Sequence, residues 1–201
     1  MCGRYYVDDE TAREIEKLIQ QMEKKQRQDS RRAVEKIIAG DICPGKKAPV
    51  LSGKNGAMCC AWQHWGFPGF QGKQLIFNAR SESALEKPLF RESILHRRIA
   101  IPATCFYEWN PRREKNTFRR RDASVLFMAG ICRQYEDGER FVILTTAANA
   151  SMEPVHDRMP LILEQEEIVA WMLDHARTET ILHKIPCLLE RQADYEQMSL
   201  F

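Results

Sequence analysis

From residue 57 to residue 163 the apolar residues of this chain come in short runs, and that rhythm constrains the fold more than any other feature. The runs are AMCCAW, QLIFNAR, RRIAIPATCFYEW, SVLFMAGICRQY, RFVILTTAA and MPLIL, punctuated by glycine, proline and asparagine. They are short and rich in β-branched and aromatic side chains, which predicts strands divided by turns. Helical spacing is confined to the flanks. Ile15, Leu18, Ile19 and Met22 recur on one helical face after Asp8 and Asp9, with Thr11 and Glu14 in the pattern of a capping box. Beyond the polar stretch from Lys24 to Ser30, Val34, Ile37 and Ile38 form a second amphipathic run that Gly40 ends. EQEEIVAWML and ARTETILHKI supply helical patterns near the other end. Helices gathered around a strand-rich centre predict an α+β fold, not an alternating α/β one. The irregular stretch NPRREKNTFRRRD, between Trp109 and Ser124, reads as a hairpin loop.

A length of 201 residues suits one domain covering residues 1–201. Hydrophobic residues at 44% and charged residues at 29% are ordinary for a globular protein, and no apolar stretch approaches the roughly 18 residues of a membrane span. The start of the chain lacks a basic segment followed by an apolar run, so a cytoplasmic protein is expected. Net charge is only +2, but basic residues crowd at Lys24, Lys25, Arg27, Arg31 and Arg32, at Arg97 and Arg98, and from Arg112 to Arg121. Each cluster taken singly fits a solvated face as well as a phosphate partner. The seven cysteines are odd in number, scattered and without a C-x-x-C pair, which predicts reduced thiols. Cys59 and Cys60 are strand neighbours that point to opposite faces, so they do not converge with His64 on a metal.

Cys2 is placed where little can pack against it, because chain termini usually fray. Removal of Met1 would give it an α-amine of pKa about 7.7–8.0 beside a thiol of pKa about 8.5, two nucleophiles on one residue. The plainer alternative is that Cys2 starts a buried strand. Glu108, between Tyr107 and Trp109 near a strand end, suits proton transfer if its surroundings are apolar, or an arginine pair if they are not. His156 lies between Pro154 and Pro160 in what reads as a shaped loop, where a structural role is equally open. Asn78 and Arg80 fall on one face of a strand by alternation.

MCGRY at residues 1–5, WGF at 65–67, NARSE at 78–82, RR-x-x-x-P with FYEW from 97 to 109, LTTAAN at 144–149 and HDRMP at 156–160 occur in an order and spacing that resembles the SRAP family, the SOS-response-associated peptidases or abasic-site processing proteins. The resemblance implies one domain with a twisted, barrel-like, mostly antiparallel β core and flanking helices. It also implies a monomer that binds single-stranded DNA and crosslinks covalently to abasic sites through the mature N-terminal cysteine. Carried onto this chain, that role falls on Cys2, with Asn78, Glu108 and His156 around it. Arg4, Arg80 and Arg158 match phosphate-holding arginines, Trp65 and Phe67 match a base-contacting stretch, and Pro44 lies in a matched DNA-side turn. Phe70 stands where tryptophan is frequent, Asp41 and Cys43 replace the usual Asn and Ala before Pro44, and the basic insertion after Trp109 is variable in the family.

The chemistry is consistent with these residue types. An abasic sugar opens to an aldehyde, which an amine attacks to form an imine. The Cys2 thiol shares an α-carbon with the amine and can close a five-membered thiazolidine, helped by proximity. Glu108 would shuttle protons, His156 would assist ring opening and Asn78 would orient the reactants, with no metal, nucleotide or organic cofactor required. A Cys2-dependent peptidase acting on its own N-terminus, and a non-covalent single-stranded or modified DNA binding module, are the rival expectations.

Overall fold

A computed structural model describes residues 2–25, 37–54, 57–72 and 74–193. Strand β1 (Tyr5–Val7) leads directly into helix α1 (Asp9–Lys25). The helix is capped by Asp8, whose Oδ1 accepts the Thr11 amide at 2.7 Å, so the capping oxygen comes from Asp8 rather than from Thr11. Thr11 instead accepts a hydrogen bond from Thr104 Oγ1 at 2.7 Å, tying the helix start to the strand layer. The second amphipathic run predicted around Val34 falls largely on residues 26–36, outside the described residues. Its described end is not helical, since Ile37 and Ile38 lie in irregular backbone with Ile37 buried and Ile38 exposed.

The centre is mostly strand. In chain order come β2 (Gly40–Ile42), β3 (Lys47–Lys54), β4 (Ala57–Trp65), β5 (Phe67–Pro68), β6 (Leu75–Ile76) and β7 (Asn78–Arg80). Helix α2 (Pro88–His96) intervenes before β8 (Arg98–Ala103), β9 (Cys105–Trp109), β10 (Lys115–Arg119), β11 (Leu126–Tyr135), β12 (Gly138–Ala147), β13 (Arg158–Pro160) and β14 (Ile162–Leu163). Helices α3 (Glu167–Leu173) and α4 (Thr178–Leu182) and strand β15 (Glu190–Ala193) complete the described chain.

Pairings β12–β4, β4–β3, β3–β8, β8–β11 and β11–β12 close a five-stranded barrel in which only β12–β4 is parallel. Strand β12 outruns this closure. Its second half carries β7 in parallel on one edge, with Thr145 opposite Arg80, and β13 antiparallel on the other, with Ala147 opposite Arg158. A second sheet, β15-β10-β9-β1-β2, is antiparallel throughout.

Alternation along the barrel strands feeds two cores. Ile99, Ile101, Leu126, Met128, Phe141 and Ile143 face an interior shared with Tyr5, Phe106 and Phe118 of the second sheet. Ala100, Phe127, Val142 and Leu144 face outward, where Phe90 and Ile94 of α2 and Trp171 of α3 cover them. Helix α2 is not anticipated in the sequence reading, although Pro88 at its first turn and the Phe90, Ile94 spacing are its signature. The basic insertion is likewise not a plain loop. It contains β10, which pairs with both β9 and β15 and buries Phe118 completely, a contribution of about 1.5–3 kcal/mol.

Candidate active site

Cys2 is packed, not frayed: its side chain is 1% exposed, within the core cluster that includes Tyr5, Trp65 and Phe77. Its main-chain carbonyl accepts a hydrogen bond from Asn78 Nδ2 at 2.9 Å, and its Sγ lies 3.8 Å from the Arg4 carbonyl oxygen. Asn78 can reach because β7 is held by β12, with the Ile143 amide donating to the Phe77 carbonyl at 3.1 Å.

Glu108 approaches from the other sheet. Tyr5 pairs with Phe106, and the Tyr107 amide donates to the Arg4 carbonyl at 3.0 Å. Extending that register sets Glu108 opposite Gly3, next to Cys2. Glu108 is buried, on the same inward face of β9 as Phe106. Burial, and secondarily the nearby negative charge of Glu108, push the Cys2 thiol up to about 12. Tyr5 is fully buried as well, and its hydroxyl has no hydrogen-bond partner among the described residues. Asn116, opposite Glu108 on β10, also buries its Oδ1 without a partner there.

His156 enters on a turn that starts at Asn149, whose Oδ1 accepts the Ser151 amide and whose Nδ2 donates to the carbonyls of Pro186 and Cys187. The turn packs Met152 and Val155 into the cluster that contains Cys2. The His156 ring is held at Nδ1, which lies 2.8 Å from Asp157 Oδ1 and 2.9 Å from the Arg158 amide nitrogen.

The arginines differ in their situation. Arg4 is half-exposed, 3.6 Å from Asp41 and stacked 5.5 Å from the centre of the Trp109 ring. Arg80 is exposed on the same strand face as Asn78. Arg158 is largely committed within the protein. Its two Nη atoms fork onto the Glu82 carboxylate at 2.7 and 2.8 Å, and Nη2 also donates to the Thr145 carbonyl at 2.7 Å. The Arg158 hydrogen bonds hold the Glu82 carboxyl below its ordinary value. Glu82, inside NARSE but given no role by the sequence, therefore braces β7 against β13 across β12.

Trp65 and Phe67 are not positioned for base contact. Both are 0% exposed. Trp65 donates its Nε1 hydrogen to the Phe77 carbonyl at 2.8 Å, stacks on Phe141 and meets Tyr5 at 5.3 Å, so it fixes the segments before Asn78 and after Cys2 from beneath. Phe67 packs on Phe90 and Tyr135 in the outer core. Pro44 belongs to the turn between β2 and β3, stitched to the Trp65 backbone by Gly45, whose amide donates to the Trp65 carbonyl at 2.7 Å. Gly45 has φ +88°, a left-handed value that explains glycine there. Among the described residues the exposed large aromatic side chains are Phe70, at 88%, and Trp109, at 36%. Their signal in the sequence is an aromatic beside Gly69 and another at a strand end.

A family model described as SOS response associated peptidase (SRAP) matches residues 1–200. The chain belongs to the SRAP family. It is 29% identical over 180 residues to the abasic site processing protein YedK of Escherichia coli, covering 86% of this chain and 79% of that one. It is 35% identical to the abasic site processing protein YoqW of Bacillus subtilis over 106 residues, which span 48% of this chain and 47% of the relative. A crystal structure of a Bordetella bronchiseptica protein superposes with a TM-score of 0.73 at 22% identity, covering 96% of this SRAP chain and 99% of the other. That likeness bears out the α+β fold expected from the sequence and the single domain with a barrel-like core that the family resemblance implies. Among the described residues no helix is long and apolar enough to cross a membrane.

Proposed function

We propose that this SRAP protein, once Met1 is removed, binds single-stranded DNA and captures abasic sites as a thiazolidine on Cys2. The neutral α-amine of Cys2 adds to the sugar aldehyde, and loss of one water gives an imine. The thiol sulfur then bonds to the imine carbon while its proton passes to the nitrogen, so the overall change releases one water and leaves the strand intact. Glu108 accepts and returns protons in these steps. His156 assists opening of the sugar ring, and Asn78 fixes the backbone of Cys2 so that amine and thiol face one carbon.

The observation that carries this reading is the convergence on Cys2 of Asn78, by a 2.9 Å hydrogen bond, and of buried Glu108 from a different sheet. Arg4 and Arg80 hold phosphates in this reading, beside the turn at Pro44, and the exposed rings of Phe70 and Trp109 take the stacking role for which Trp65 is too deeply buried. Arg158 reaches a phosphate only by leaving Glu82, so its resting contribution is to hold β7 and β13 together.

A peptidase built on Cys2 would need a thiolate. Burial and the adjacent carboxylate act against that species, which supports amine chemistry as the first step. The test is incubation of processed protein with an abasic oligonucleotide, followed by denaturing electrophoresis. A heat- and detergent-stable band with the parent, lost in Cys2→Ala, supports the proposal. An equally durable band with Cys2→Ala rejects it.

A further inference from the structure

The β9–β10 hairpin carries the buried Glu108 near the end of β9 and a basic tip at Arg112 and Arg113. Trp109 lies on the outward face of β9 with Tyr107, and each ring carries a cation: Arg4 at 5.5 Å from Trp109 and Lys115 Nζ at 4.3 Å from Tyr107. Past Trp109 the chain does not flop. Asn110 Oδ1 accepts the amides of Arg112 and Glu114 at 3.0 Å each, and Asn110 Nδ2 donates to Glu114 Oε2 at 2.6 Å. The tip therefore holds Arg112 and Arg113 exposed in a fixed turn, Arg113 at φ 64°. Among the described residues, Glu114 is engaged by Asn110 and Asp41 lies 3.6 Å from Arg4. The Arg113 amide also donates to the Asn110 carbonyl at 2.8 Å, so the chain reverses directly after Trp109.

We propose that the outward face of this hairpin is a second DNA-contacting surface, on which the strand leaving the lesion runs across Trp109 and Tyr107 to the guanidinium groups of Arg112 and Arg113. The inference rests on the abasic-DNA reading of the site and extends it to flanking nucleotides. Its occupant is a nucleic-acid strand because the face alternates aromatic rings with cations, suited to bases and phosphates in turn, and because it is continuous with Cys2 through Glu108 and Arg4.

The experiment compares the parent with Arg112→Gln/Arg113→Gln on two single strands, one ending two nucleotides beyond the abasic site and one extended well past it. Undamaged strands of both lengths and polyglutamate are run in parallel. Both replaced side chains are exposed, and a thermal melt confirms the fold. With the extended strands, damaged and undamaged, the variant should bind more weakly, and its log-log salt slope should fall by about 0.7 for each phosphate it no longer neutralises. Binding of the short strands should not change. Equal weakening on both lengths, no weakening on either, or binding of polyglutamate that depends equally on the two arginines would overturn the proposal. Absence of crosslinking in the parent, with the length-dependent weakening of binding intact, would reject the thiazolidine chemistry and leave this surface supported.

Discussion

The side-chain amide of Asn78 donates to the main-chain carbonyl of Cys2 at 2.9 Å, joining residues 76 positions apart. Two backbones are thereby fixed relative to one another before any substrate arrives. Asn78→Ala removes a hydrogen bond of about 0.5–1.5 kcal/mol, so stability should drop slightly while crosslinking slows more than stability alone explains. A urea melt and a single-turnover time course on the same preparation check this, and an unchanged rate would dismiss the positioning role.

Glu108→Gln keeps the shape of the side chain and cannot exchange a proton. Crosslinking should slow by about 10²–10⁴-fold with DNA affinity near that of the parent. A collapse of affinity with the bound rate unaltered would make Glu108 a binding or structural residue.

Much of this arrangement is legible in the sequence, for identifiable reasons. The strand runs and end helices follow from periodicity, and Asn78 and Glu108 fall beside apolar strand residues that fix their faces. Helix α2 escapes a sequence reading because PLFRESILH is short and only Phe90, Ser93 and Ile94 of it are buried. Strand β10 is hidden by its charges: in KNTFR only alternate side chains, Asn116 and Phe118, face inward. Trp65 is ambiguous in the sequence because an aromatic is equally suited to a core and a base, and only the tertiary contacts with Tyr5 and Phe141 decide between them. The fork between Glu82 and Arg158 joins strands whose adjacency depends on β12 extending beyond the barrel, which no local pattern reveals.

That fork sets an acid limit on stability. The Glu82 carboxyl titrates lower folded than unfolded, so the stability it contributes is full above the ordinary carboxylate value and fades as pH falls through the depressed folded one. Glu82→Gln should flatten this acid loss and lower the melting temperature near neutrality. Thermal melts from neutral pH into the acid range measure both, and parallel curves for parent and variant would contradict the assignment.

At alkaline pH the sign is reversed. In the chain that retains Met1, the Cys2 thiol holds its proton up to about 12, whereas the unfolded chain releases it near the ordinary value of about 8.5. Stability from this group is therefore complete below the ordinary thiol value and is lost as pH rises toward the folded one. Cys2→Ala should lose less stability than the parent across that interval in denaturant titrations, and Cys2 should resist alkylation at neutral pH.

The buried Tyr5 hydroxyl has no partner among the described residues, and such a group costs about 1–3 kcal/mol. Tyr5→Phe should leave the fold as stable as the parent or more so. A clear drop in the melting temperature would mean that the hydroxyl makes a stabilising contact.

The central claim is that amine and thiol of one residue, Cys2, both bond to the sugar carbon. Peptide mass mapping of the adduct made without reductant tests it directly. The account predicts a peptide beginning at Cys2 whose mass is that of peptide plus sugar remnant less one water, with no alkylatable thiol on Cys2, and no such adduct from Cys2→Ala unless borohydride traps its imine. An adduct on an internal lysine, a Cys2 thiol still open to alkylation, or a stable adduct from Cys2→Ala without borohydride would contradict it.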